Sequence, residues 1–318
     1  MSVLLLFAGF VLVIKGADFL VDGGSSLARK MHVSSLVIGL TVVAFGTSLP
    51  ELSVNITASI KGSSEIAITN ILGSNTANIL LILGISSIIF PLAVTKGTVW
   101  KEIPLSLLAA IVLAVMAGDN IMDKRDYSEL TRTDGIILLA FFLIFLYYTA
   151  GIAHDTSEIT DKSPQKIYSL KKSIILIIAG LVLLIFGGRW IVSSAVDIAN
   201  KLHISESVIG ATIVAVGTSI PELGVSVIAA IRKNANIAVG NVIGSNIFNI
   251  FFILGISSII RPIQIHSSDI IDFVTVIAAN ITLFVFMFTG KKRLIDRWEG
   301  WLLLAGYIVY VTLVLVLK

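Results

Sequence analysis

The sequence predicts an all-α polytopic membrane protein of ten transmembrane helices, arranged as two inverted five-helix repeats. Three observations predict it. First, 56% of the 318 residues are hydrophobic and only 14% are charged, whereas soluble domains carry roughly 25% charged residues. Apolar runs of about 20 residues, long enough to cross a hydrocarbon core of about 30 Å, recur along the chain. Second, HVSSLVIGLTVVAFGTSLPEL (32–52) returns as HISESVIGATIVAVGTSIPEL (203–223), and NILGSNTANILLILGISSIIFP (70–91) returns as NVIGSNIFNIFFILGISSIIRP (241–262). Both copies are displaced by 171 residues without a gap, and 34 of 60 positions are identical between 32–91 and 203–262. Third, a unit of five spans is odd, so consecutive copies must enter the membrane from opposite sides.

In order, helices are expected near 2–28, 36–60, 67–89, 102–118, 134–152, 172–199, 207–231, 238–260, 269–288 and 298–317. The opening MSVLLLFAGFVLVIKGADFLV lacks a basic n-region and an evident small-residue cleavage site, so it reads as the first span rather than a leader. The second and third spans carry the first copy of the motifs, and the seventh and eighth carry the second. Between the halves, HDTSEITDKSPQKIYSLKK (154–172) has no apolar periodicity and contains a proline, which makes it a linker. The expected domains are therefore a first repeat over 1–153, a cytoplasmic linker over 154–171 and a second repeat over 172–318. With the N-terminus outside, inner segments hold fourteen basic residues, among them Arg29, Lys30, Lys171, Lys172, Arg232 and Arg293, and outer segments hold seven. That bias places both termini outside under the positive-inside rule.

Composition also excludes classes. The net charge of +3 is small, and the basic residues are dispersed rather than gathered in a stripe with aromatics, so no nucleic-acid partner is expected. The absence of cysteine rules out disulfides, thiolate metal sites and thiol catalysis.

The chemistry concentrates in the repeated motifs. Pro50 has no N–H, so the Gly46 carbonyl loses its helical partner, and Gly46 adds permissive backbone on the same turn. Irregular backbone at membrane depth persists only where it is buried in protein or lines a polar cavity. Carbonyls near Ala44 and Gly46 thereby become candidate ligands. Thr47 and Ser48 lie four and three residues before Glu51, on one helical face if the helix resumes. The second copy offers Ala215, Gly217, Thr218, Ser219, Pro221 and Glu222 in the same pattern. Ser74 with Asn78, and Ser245 with Asn249, again lie four apart. Every one of these groups offers oxygen, as hard cations such as calcium require. No histidine or cysteine lies near them, which argues against zinc or copper.

Taken singly, each feature has a structural explanation: proline with glycine marks a kink, small-residue motifs pack helices, and a lone glutamate can be ion-paired. Symmetric duplication outweighs those explanations, since intramembrane ionisable groups mark functional sites. Elsewhere the structural explanation is favoured. Lys15 and Asp18, with Arg189 at the position matching Asp18, are expected to snorkel or form an ion pair. Asp119, Asp123, Asp126, Glu129 and Asp134 are expected to belong to a solvated loop.

With GTSLPE and GSNTAN in one half and GTSIPE and GSNIFN in the other, the sequence resembles the cation/calcium antiporter superfamily, in its sodium/calcium exchanger branch. The resemblance covers essentially the whole chain, and the short linker makes it look like a minimal prokaryotic form. It implies four clustered cation sites at mid-membrane. Glu51 and Glu222 would be shared calcium ligands, assisted by Thr47 and Thr218. Sodium would use Ser48, Ser74, Ser219, Ser245, both glutamates and the carbonyls of Ala44 and Ala215, and Asn78 and Asn249 would line the centre. Potassium-dependent members carry aspartate where Asn249 stands, so potassium coupling is not expected; some archaeal relatives carry aspartate there too.

The expected function is sodium/calcium antiport by alternating access, in a protein that is no enzyme, needs no cofactor and works as a monomer in the cell membrane. The alternative is exchange of calcium or another divalent cation for protons. The first and sixth spans, which lack the motifs, are expected to slide as gates. An intramembrane hydrolase would need a nucleophile or resident metal that the motifs do not supply, and a channel would more naturally be a symmetric oligomer of short subunits.

Overall fold

The computed structural model describes residues 2–122, 124, 126–153, 167–202, 215–290 and 292–317. In chain order its principal helices are α1 (Ser2–Lys30), α2 (Ser35–Thr47), α3 (Leu49–Lys61), α4 (Ile66–Ile89), α5 (Thr98–Met116), α6 (Arg132–Ile152), α7 (Leu170–Lys201), α8 (Ile220–Ile231), α9 (Ala235–Ile260), α10 (Ser267–Phe286) and α11 (Arg297–Leu317). Among the described residues, eight of these are long and apolar enough to cross a membrane, and α2 with α3 form a ninth span if that bent pair is counted as one. The N-terminal part of the expected span 207–231, and most of the expected linker, lie outside the described residues.

The expected helix over 36–60 is two helices, bent by 47°. Ser48 leaves the helical region at φ −83°, ψ 9°, and Pro50 falls in the first turn of α3, where a missing N–H breaks no intrahelical bond. Ser219 repeats this before α8, at φ −85°, ψ 6°, with Pro221 in the first turn. The proline therefore starts a new helix instead of kinking an old one.

The core is the crossing of α4 and α9, whose Ile71, Leu72, Ile82, Ile243, Ile247 and Phe251 are fully buried. Helices hydrophobic all round belong in such a position. Peripheral helices keep an apolar outer face, with Phe7, Leu143, Tyr147, Trp301 and Val316 exposed, as a hydrocarbon environment demands.

Contacts between the two halves come in exchanged pairs. Strand β1 (Leu92–Ala93) pairs antiparallel with β4 (Leu294–Ile295) at one end of the bundle, and β2 (Ser128–Leu130) pairs with β3 (Ile263–Ile265) at the other. Helices α1 and α7 meet at glycines: a Cβ on Gly16 would lie 2.8 Å from the Gly180 carbonyl oxygen, and one on Gly9 would lie 2.9 Å from that of Gly187. Only hydrogen fits there.

The two ends differ in closure. Asp18 and Asp22 of α1 both accept from Arg232, which caps α8, with Asp18 at 2.6 Å. This is the ion pair expected for Asp18, with Arg232 as partner rather than Lys15. Toward the opposite end, a cavity of about 610 Å³ opens between α3, α7 and α8, lined by Pro50, Ser53, Arg189, Ser193, Thr218 and Pro221. The acidic loop is structural at two points: Asp134 forms a capping box with Thr131, and Asp119 accepts the Glu129 N–H at 3.1 Å. Asp123 lies outside the described residues.

Substituting Gly16→Val should separate α1 from α7 and cost about 1–3 kcal/mol, the range for overpacking a tight contact. Gly151→Ala, where an added Cβ meets nothing within 4 Å, should be neutral or mildly stabilising. Thermal unfolding in detergent distinguishes the two outcomes.

Candidate cation site

The break before Pro50 places Ser48 and Glu51 at the buried start of α3, and the break before Pro221 places Ser219 and Glu222 at the start of α8. The carboxylates are bonded crosswise: Ser48 Oγ donates to Glu222 Oε1 at 3.0 Å, and Ser219 Oγ donates to Glu51 Oε1 at 3.4 Å. Ser245 Oγ lies 3.5 Å from both Glu222 Oε1 and the Ala44 carbonyl oxygen. Thr47 faces Glu222 and Thr218 faces Glu51, while Ser74 Oγ and Thr218 Oγ1 are 3.4 Å apart. Glu51, Glu222, Ser48, Ser74 and Ser245 are all buried.

Two asparagine pairs fix the middle. Asn78 Nδ2 donates to Asn246 Oδ1 and Asn249 Nδ2 donates to Asn75 Oδ1, both at 2.9 Å. Asn75 and Asn246 then exchange bonds to each other's backbone carbonyls at 3.2 and 3.3 Å. With their amide N–H groups engaged, Asn78 and Asn249 are left with free Oδ1 atoms. Those two oxygens, together with Glu51 Oε2 and Glu222 Oε2, are buried and receive no hydrogen bond. Among the described residues no lysine, arginine or histidine pairs with either glutamate. A buried acceptor without a donor costs about 1–3 kcal/mol, more when charged. Four such oxygens in one hydroxyl-lined cluster match what a hard cation coordinates.

The structure brings Thr47, Ser48, Glu51, Ser74, Asn78, Thr218, Ser219, Glu222, Ser245 and Asn249 into this one cluster. Ala44 needs a correction: its carbonyl is not released by Pro50, since it accepts the Ser48 N–H at 3.1 Å. Its second lone pair is within reach of the Thr47 and Ser245 hydroxyls, at 3.3 and 3.5 Å. Ala215 begins a short helical segment, Ala215–Gly217, beside Thr218. Sequence reasoning missed Asn75 and Asn246, although both sit inside the quoted GSN motifs, because attention fell on the i, i+4 face. It also missed Asn70 and Asn241, which hydrogen-bond the two threonines at 3.4 and 3.1 Å. The π-helical turns over Asn78–Leu83 and Phe248–Leu254 left no sequence signal, although such turns collect at functional sites.

Comparison with known proteins places the whole chain in one family. The family model for sodium/calcium exchanger protein matches residues 1–151 and 172–316. The chain is 33% identical to the sodium/calcium exchanger MaX1 of Methanosarcina acetivorans, with 96% of each chain covered. It is 35% identical to the inner membrane protein YrbG of Escherichia coli, covering 97% of this chain and 95% of that one. Among solved structures, the sodium-calcium exchanger NCX_Mj soaked with 10 mM Na+ and zero Ca2+ superposes with a TM-score of 0.84 at 36% identity, over 98% of both chains. The chain belongs to the sodium/calcium exchanger family, and is a membrane transporter rather than an enzyme.

Proposed function

We propose that the protein exchanges sodium for calcium by presenting one central site alternately to the two sides of the membrane. The observation that carries this is the set of four undonated buried oxygens, on Glu51, Glu222, Asn78 and Asn249. Calcium takes both glutamates with Thr47 and Thr218. Sodium ions take the glutamates, Ser48, Ser74, Ser219, Ser245 and the carbonyls of Ala44 and Ala215, and Asn78 and Asn249 line the centre. Two carboxylates in a low-dielectric site repel each other unless cations accompany them. One calcium or two sodium ions bring the same neutralising charge, so the ions compete and the loaded states are the ones able to reorient.

The chain works as a monomer of ten spans in two inverted halves, 1–153 and 172–318, joined by a cytoplasmic linker over 154–171, with both termini outside. The exchanged contacts support that symmetry, Asn75 and Asn246 standing 171 residues apart like the motifs themselves. The cavity beside Thr218 is then the external approach, and the Arg232 clasp on Asp18 and Asp22 seals the cytoplasmic side. The paired helices α1 and α7, meeting at glycines, are the sliding elements.

Glu51→Gln or Glu222→Gln should lower sodium-driven calcium uptake into proteoliposomes at least 100-fold; uptake driven by a proton gradient instead of sodium would assign the exchanger to proton coupling. Protons compete for the same carboxylates, so uptake should be full near neutrality and fall as pH drops toward about 5. A pH-independent rate would contradict a carboxylate site. Because the chain has no cysteine, Ser53→Cys should react with an impermeant thiol reagent added outside intact cells. Labelling only from the cytoplasmic side would reverse the proposed orientation.

A further inference from the structure

A hydroxyl serves a cation only when its proton points elsewhere. Thr47 Oγ1 has three acceptors within reach of that proton: the Glu222 carboxylate it faces, the Ala44 carbonyl at 3.3 Å and Asn241 Oδ1 at 3.1 Å. Giving the proton to Glu222 would point it into the site, between the hydroxyl and the ion. Giving the proton to Ala44 burdens a carbonyl that already accepts the Ser48 N–H. Asn241 carries no such conflict, and its amide cannot turn round. Its Nδ2 donates to the Glu222 backbone carbonyl at 3.2 Å and to Ser226 Oγ at 3.0 Å, and Ser226 in turn donates to the Ala238 carbonyl at 3.4 Å. Oδ1 is thus held toward Thr47.

The other half repeats the arrangement with different side chains. Thr218 Oγ1 donates to Asn70 Oδ1 at 3.4 Å, Asn70 Nδ2 donates to Asn55 Oδ1 at 2.8 Å, and Asn55 Nδ2 donates to the Ala67 carbonyl at 3.0 Å. Asn55 stands where Ser226 stands in the second half, yet each gives its hydrogen bond to the equivalent carbonyl. Two chemically different routes to one amide orientation argue that the orientation itself is what matters.

We infer that Asn241 and Asn70 are positioning residues for cation binding, which hold the protons of Thr47 and Thr218 away from the ion so that the hydroxyl lone pairs face it. The inference rests on the proposed role of the two threonines as ligands. Loss of a partner that orients a metal ligand typically costs about 10–100-fold in affinity, and residues that act through one another give non-additive double-mutant cycles.

The test is calorimetric calcium binding to the full chain in detergent, for Asn241→Leu, Thr47→Ala and the double variant. Each single change should weaken binding about 10-fold or more, and the double variant should be no weaker than Thr47→Ala alone. Penalties that multiply in the double variant would show that Asn241 acts by another route and would overturn the inference while leaving the ligand role intact. Unchanged binding in Thr47→Ala would overturn the ligand role itself, and the inference with it. The cycle of Asn70→Leu with Thr218→Ala makes the same prediction in the other half, and decides the matter if Asn241→Leu does not fold.

Discussion

Two carboxylates, on Glu51 and Glu222, share one buried hydroxyl-lined cluster, and among the described residues no cationic side chain pairs with either. Burying an ionised carboxylate costs several kcal/mol even after relaxation, so the surrounding structure has to be arranged for something that supplies positive charge. The neighbours obey this constraint. Serine hydroxyls reach one oxygen of each carboxylate and leave its second oxygen free. Asn78 and Asn249 spend their N–H groups on Asn246 and Asn75 and leave their own Oδ1 atoms without a donor. A structural role would have satisfied these acceptors; here the donors present are spent elsewhere.

That demand also accounts for the duplicated backbone breaks. A new helix starting at Leu49 puts Ser48 and Glu51 in its first turn, where N–H groups without intrahelical partners favour negative charge. Ser219 and Glu222 stand at the equivalent start of α8. The cluster is therefore built by two helix starts facing one another, each half supplying the hydroxyl that the other half's carboxylate needs.

Much of this was legible in the residues. The gapless repeat and the pairing of GTSLPEL with GTSIPEL named both glutamates, both threonines and the serines, because duplication separates a functional pattern from a kink. Local spacing did not reveal what spans the halves. Asn75 meets Asn246, and Thr47 meets Asn241, only through tertiary crossing. The asymmetry was hidden for the same reason: Arg232 belongs to a short loop in sequence and to α1 in space. Pro50 illustrates a subtler limit, since a proline fixes one dihedral and removes one donor but does not say whether the helix bends or restarts. Packing against α9 decides that.

The same contrast distinguishes the centre of the bundle from the pair proposed to slide. Helices α4 and α9 are joined at their centre by four amide hydrogen bonds between Asn75, Asn78, Asn246 and Asn249, and buried polar bonds of this kind rigidify a core. Helices α1 and α7 are joined differently. Among the described residues, side-chain hydrogen bonds between them fall at their extremities, Ser2 with Asp197 and Ser26 with Ser173, and glycines and apolar side chains fill the interval. At 29 and 32 residues and 1.5 Å per residue, they run to about 44 and 48 Å, well beyond a hydrocarbon core of about 30 Å, and must lie tilted. Among the described residues, a shift of this pair along the bundle would break polar bonds near one end only, the Arg232 clasp and the bond from Asn234 to Ser25, whereas a shift between α4 and α9 would strand four amides at the centre. The proposed movement thus falls to α1 and α7, which supply none of the proposed ligands, and leaves the amide-linked centre in place.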